Sequence, residues 1–121
     1  MSYIEINGTT CLANVVEKNR DYDWDFRKIA IIQLPKESVE IANLFEDNLN
    51  WKYGQDSEVL VNIYDENNQV IETQIKTERR FNDYSHYSLV GDITKHRNGT
   101  MTIKMGQPTA EELLAKFEEV L

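Results

Sequence analysis

Three aspartates at alternate positions, Asp21, Asp23 and Asp25, have the spacing with which a calcium loop begins. An EF-hand also needs Gly at its sixth position and Glu at its twelfth. Phe26 and Ile32 hold those positions, and a strand-like run follows where a helix should. The spacing therefore predicts a solvated loop whose acids pair with Arg20, Arg27 or Lys28, and no metal site. Tyr22 and Trp24 alternate with these acids. A tryptophan in a polar loop either folds back as a plug or anchors a contact, and both readings stay open here. His86 and His96 have no second ligand at short spacing, which zinc requires. Ser85 and Ser88 lack the G-x-S-x-G turn that exposes a nucleophile. Cys11 falls mid-strand, where most cysteines are inert packing. The five glycines are scattered, so no phosphate loop is expected. Adjacent Arg79 and Arg80 could grip a phosphate or carboxylate, with Tyr84 and Tyr87 close by. Carboxylates abound, but acid–base work needs one of them raised in a cleft. No catalytic residue, cofactor or metal ligand emerges, and a non-enzyme is expected.

The elements that would position these residues follow from periodicity and turn chemistry. Tyr3–Ile6 and Thr9–Val16 read as strands joined at Asn7-Gly8, the pair best suited to a type I′ turn. Asn19–Asp25 reads as irregular. Phe26–Leu34 has an apolar centre that suits a strand covered on both faces. Val39, Ile41, Ala42, Leu44, Phe45 and Leu49 recur at helical spacing and predict a helix over 36–48. Trp51 and Tyr53 begin a short strand closed by Gly54. Ser57–Tyr64 and Val70–Thr77 alternate around an Asp65–Asn68 turn, with Val59, Val61 and Ile63 on one face and Ile71, Thr73 and Ile75 turned inward. Residues 78–84 read as a loop. A third hairpin follows, with Tyr87, Leu89, Gly91 and Ile93 on one face, a turn at Asn98-Gly99, and Met101, Ile103 and Met105 on the return. Both Asn-Gly-Thr triplets match a glycosylation sequon but are read as turns. Thr109 and Glu112 form a capping box. Behind it Ala110, Leu113, Leu114, Phe117, Val120 and Leu121 make one apolar stripe on a C-terminal helix.

At 121 residues and 14.2 kDa the chain is one domain long. Its net charge of -8 argues against unaided binding to a nucleic-acid backbone. The acid is concentrated between residues 37 and 66, with a mildly basic stretch around Arg79, Arg80, Lys95 and Arg97. One cysteine cannot form an internal disulfide. No run is apolar enough for a membrane span, and the start MSYIEING has neither a basic nor an apolar leader region. A reducing cytoplasm is the expected setting.

Asp83-Tyr84-Ser85, Gly91–Thr94, His96–Thr100, Lys104-Met105-Gly106 and Thr109–Glu112 together resemble the C-terminal part of small phage and prophage proteins of Gram-positive bacteria. That resemblance spans about the last third of the chain. It implies a phage accessory or virion-associated protein in the host cytoplasm, with no catalytic residues to carry over.

The expected fold is α+β: about seven mostly antiparallel strands, three hairpins among them, in a curved or two-layer sheet with two helices, one C-terminal. The faces bearing Ile29/Ile31, Val59/Val61/Ile63, Ile71/Ile75 and Leu89/Ile93/Met101/Ile103 can supply the apolar surface those helices need. The expected function is a non-enzymatic phage or prophage protein-interaction module, a virion-assembly or self-associating subunit. Its partner is a protein or a second copy, with neither nucleic acid nor membrane. Candidate contacts are Tyr22, Trp24, Arg79, Arg80, Tyr84, Leu113 and Phe117. Docking on its own sheet is the first expectation for the C-terminal helix, and an interface the second. Two alternatives remain: an acidic nucleic-acid mimic presenting Glu37, Glu40, Glu46, Asp47, Asp65 and Glu66, and a small-ligand binder built on Arg79, Arg80, Tyr84 and Tyr87.

Overall fold

A computed structural model describes residues 1–120, with side chains through Glu118. Strand β1 (Ser2–Ile6) returns as β2 (Thr9–Leu12) through Asn7 (φ 50°) and Gly8 (φ 81°), the left-handed pair a type I′ turn demands. At Ala13 the chain crosses from one sheet to the other. Its N–H donates to the Ser2 carbonyl at 3.1 Å, and the Ser2 hydroxyl donates to its carbonyl at 2.7 Å. Strands β3 (Asn14–Asp21) and β4 (Arg27–Leu34) follow. One helical turn, α1 (Val39–Ala42), interrupts the connection to β5 (Trp51–Tyr64). Then come β6 (Val70–Asp83), β7 (Leu89–Lys95), β8 (Met101–Gly106) and helix α2 (Ala110–Val120).

The eight strands make two antiparallel four-stranded sheets, ordered β2-β1-β5-β6 and β3-β4-β8-β7. Ile4 and Ile6 of β1 with Trp51 and Tyr53 of β5 meet Ala30, Ile32 and Leu34 of β4 and Met101, Ile103 and Met105 of β8. Ala42, Phe45 and Leu49 of the β4–β5 connection close the end of this core. Trp51 is fully buried, and its indole N–H donates to the Tyr87 carbonyl at 3.1 Å. Strand β4 is buried on its inner face at Ala30, Ile32 and Leu34. Its outer face is covered at Arg27 and Ile29, half-buried at Ile31 and exposed at Gln33, so the coverage on both faces that its apolar run predicts holds only for its first half. On the outer face Ile29 is buried, and the Trp24 ring lies over Gly91 and Gly106, where a Cβ would come within 2.7 and 2.8 Å of it.

The α+β class holds, with eight strands in place of about seven. The helix expected over 36–48 is one turn long. Asn43 follows it as C-cap, Asn48 adopts a left-handed φ of 65°, and the apolar spacing instead plugs the core from an irregular segment. Residues 19–21 extend β3, and the loop expected over 78–84 is strand through Asp83. The strand expected to close at Gly54 runs on to Tyr64. A bulge at Gly91-Asp92 separates the faces of Leu89 and Ile93, so Val90 packs on the core.

Candidate functional site

β1 pairs with β5 as far as Ser2–Gln55, and the Met1 carbonyl accepts the Asp56 N–H at 3.1 Å. Beyond that contact β6 is the sole ladder neighbour of β5, so residues 57–78 form a two-stranded arm. By strand rise it projects roughly 30 Å. Asp65 builds its tip by accepting the N–H groups of Asn67 and Gln69 at 2.8 and 2.9 Å. Near the tip the pairing shifts by one residue: Tyr64 faces Val70, but Ile63 faces Glu72, leaving Ile71 as a bulge. Continued at the tip's register, the ladder would set Val59, Val61 and Ile63 against Ile75, Thr73 and Ile71 on one face. The bulge instead places Leu60 opposite Ile75, and Val59 opposite Lys76. The apolar stripes of the two strands therefore lie on opposite faces. Leu60 is 72% exposed and Ile75 65%, with Tyr64, Val70 and Ile71 exposed as well. This corrects the expectation that these faces cover helices.

Arg79 fixes the base of the arm. Its Nε donates to Asp56 at 3.0 Å, and its guanidinium lies 3.5 Å above the Tyr3 ring. The Tyr3 hydroxyl donates to the other Asp56 oxygen at 3.2 Å. The Arg79 hydrogen bond holds the Asp56 carboxyl below its usual range. Neighbouring strand residues point to opposite faces, and Arg80 accordingly pairs with Glu78 at 3.1 Å. The two arginines do not converge on one anion. A Cβ on Gly54 would stand 2.3 Å from the Arg80 carbonyl oxygen, so the strands need glycine to pair here.

Helix α2 opens with the expected capping box. The Thr109 hydroxyl accepts the Glu112 N–H at 3.2 Å, and the Glu112 carboxylate accepts the Thr109 N–H at 2.9 Å. The same carboxylate lies 2.8 Å from Arg27, a buried arginine. The Thr109 N–H first, and Arg27 after it, keep Glu112 below its ordinary range. Arg27 also donates to the Trp24 carbonyl at 3.0 Å and sits 4.5 Å from the centre of the Trp24 ring. One guanidinium thus ties the β3–β4 turn to the start of α2. Past this anchor the stripe is open: Leu113 is 55% exposed and Phe117 62%, with Leu114 similar. Docking on its own sheet, the first expectation, does not occur for these residues. Val120 and Leu121 of the expected stripe lie outside the described side chains.

Of the aromatic loop pair, Trp24 is the plug and Tyr22 the exposed member. Tyr22 stands edge-on to Phe26 at 5.4 Å, and both are more than half exposed. Asp25 and Phe26 have φ of 56° and 58°, a left-handed conformation that is strained for a bulky side chain. Phe26 and the first turn of α2 border one depression of about 520 Å³, which makes the aromatic pair and the helix neighbours. The sequence reading missed Phe26, because it looks like the first residue of a strand. Asp21 bridges to Lys104 at 2.8 Å and Asp25 faces Arg27 at 3.4 Å, so the expected partner of Asp21 is corrected to a residue on β8.

Tyr84 and Tyr87 belong to an aromatic seam with Trp51 and Tyr53. Both hydroxyls donate to Glu17, at 3.3 and 2.6 Å. Burial, reinforced by that carboxylate, pushes the Tyr87 phenol upward. The shallow hollow of about 350 Å³ at the arm base is bordered by Arg80 and Tyr84, while Arg79 and Tyr87 lie outside it. The six acids of the mimic reading are divided between the two ends of β5, Glu46 and Asp47 preceding it and Asp65 and Glu66 following it. Asp47 and Asp65 are further occupied by backbone N–H groups. His96 contacts Thr102 at 3.0 Å, and burial raises the Cys11 thiol above its usual value. Among the described residues no three His, Cys, Asp or Glu side chains gather as metal ligands, and no helix is long and apolar enough to cross a membrane.

No protein-family model matches the chain, no curated protein matches it, and no solved structure matches it.

Proposed function

We propose that this chain is a non-enzymatic assembly subunit of phage or prophage kind, which self-associates through its β-arm and presents α2 and the Tyr22–Phe26 pair as further contacts. The observation that carries this reading is the arm itself, a two-stranded projection with Leu60, Tyr64, Val70 and Ile75 exposed on one face, Ile71 exposed at its bulge, and Val59, Val61 and Ile63 half-buried on the other face. A ribbon of two strands is marginal in water by itself. Apolar area on its two faces gains nothing in the lone chain and is stabilised when a neighbour covers it. The arm is also held in place, by Arg79 on Tyr3 and Asp56, so a contact made there loses little entropy. Helix α2 is presented in the same manner, capped and clamped at one end with its apolar stripe uncovered.

The test is light scattering over a wide concentration range on the full chain and on a variant whose residues 58–77 are replaced by Asn-Gly. Ser57 and Glu78 face each other in the ladder, so a two-residue turn can join them. The full chain should form a concentration-dependent oligomer and the shortened chain should remain monomeric. A full chain that stays monomeric throughout would contradict the proposal.

A further inference from the structure

Strand β6 is the outer strand of its sheet over the whole of Val70–Asp83. Alternate residues along it direct their N–H and C=O groups away from β5, where they offer a template for another strand. Glu72, Lys76, Glu78, Arg79, Arg80 and Asp83 stud this edge. Charge on an edge discourages indiscriminate pairing. It also selects whatever register brings opposite signs together.

Two copies of one strand pair antiparallel about a two-fold axis, so each register is named by the residue that meets itself. Centred on Ile75, Glu72 meets Glu78 of the second copy. Centred on Lys76, that ammonium meets itself. Centred on Glu78, the carboxylate meets itself and Lys76 meets Arg80. Centred on Thr77, Lys76 meets Glu78 twice, and no like charges stand directly opposed. Arg80 then faces Gln74, and Arg79 faces the exposed Ile75, which its aliphatic stem can cover. This register uses nearly all of β6, whereas centres nearer either end pair far less of it.

We propose that two copies join edge to edge through β6, in the register centred on Thr77, merging their four-stranded sheets into one. The proposal rests on the self-association argued above and adds the partner, the edge and the register. Each two-stranded arm becomes half of a four-stranded ribbon. Because the strands run oppositely, the two sandwich bodies sit at opposite ends of it.

Cysteine cross-linking and charge exchange test this. In a Cys11→Ser background, Thr77→Cys places the thiols across the axis with Cα atoms about 4.5–5.5 Å apart, within disulfide range. Mild oxidation should give a covalent dimer, whereas Thr73→Cys, which faces Phe81 of the second copy, should not. Lys76→Glu and Glu78→Lys should each weaken dimerisation about tenfold, and the double exchange should restore it. An uncross-linked Thr77→Cys chain that still associates, with no rescue by the double exchange, overturns the register and leaves the assembly reading standing. A chain monomeric by light scattering at every concentration overturns both.

Discussion

Among the described residues Arg27 is the one charged residue that is buried, a position that charge balance alone does not reveal. Its head bridges the Trp24 carbonyl, the Trp24 ring and the Glu112 carboxylate while buried. Arg27→Met keeps the stem and removes these bonds, and should cost about 2–3 kcal/mol in urea unfolding. Unchanged stability would mean that the clamp is incidental. Asp21 gives a pH signature. The Lys104 hydrogen bond holds its carboxyl below the ordinary range, so the folded chain releases that proton at lower pH than the unfolded chain does. The stabilisation is complete above about pH 4 and is lost as pH falls through the lowered value. Asp21→Asn should therefore lower stability at neutral pH and flatten the acid limb of the urea midpoint. Parallel limbs in the two proteins would count against the bridge. Gly54 was legible only as a strand end. Gly54→Ala should open the base of the arm, read as a lower unfolding midpoint together with altered self-association.

At the scale of elements, local signals were read well and long-range ones were not. Asn7-Gly8 specified its turn because left-handed backbone is a property of the residues themselves, and Thr109 with Glu112 specified a helix start for a similar reason. Val39–Leu49 misled because apolar side chains at helical spacing also arise when an irregular segment plugs a core from one side. Alternation and the Asp65–Asn68 turn identify the arm as a hairpin, but they do not identify which faces its two strands share. Period two reveals that a strand alternates, while the face it shares with its neighbour depends on register, here moved by one residue at Ile71. Of the seven candidate contacts, Tyr22, Leu113 and Phe117 are exposed, Trp24 and Tyr84 are engaged within the fold, and Arg79 and Arg80 are split between faces. Leu113→Glu with Phe117→Glu should change chemical stability by no more than about 0.5 kcal/mol, because both side chains already face solvent. A loss of several kcal/mol would show that α2 is docked.

At the scale of the whole molecule, a sandwich too small to dispense with any of its inner faces carries a large arm outside its core. Tyr84 and Tyr87 belong to the aromatic seam, the paired acids Asp21 and Asp56 hold the β3–β4 turn and the arm base, and the surplus apolar surface lies on projecting parts. The net charge of -8 opposes association in dilute salt, so added salt should strengthen self-association until the paired charges of β6 are screened in turn. The most direct test of the account is sedimentation equilibrium of the full chain beside the chain with residues 58–77 replaced by Asn-Gly. The account predicts a reversible oligomer for the first and a folded monomer for the second. Two monomers, or two identical oligomers, would contradict it.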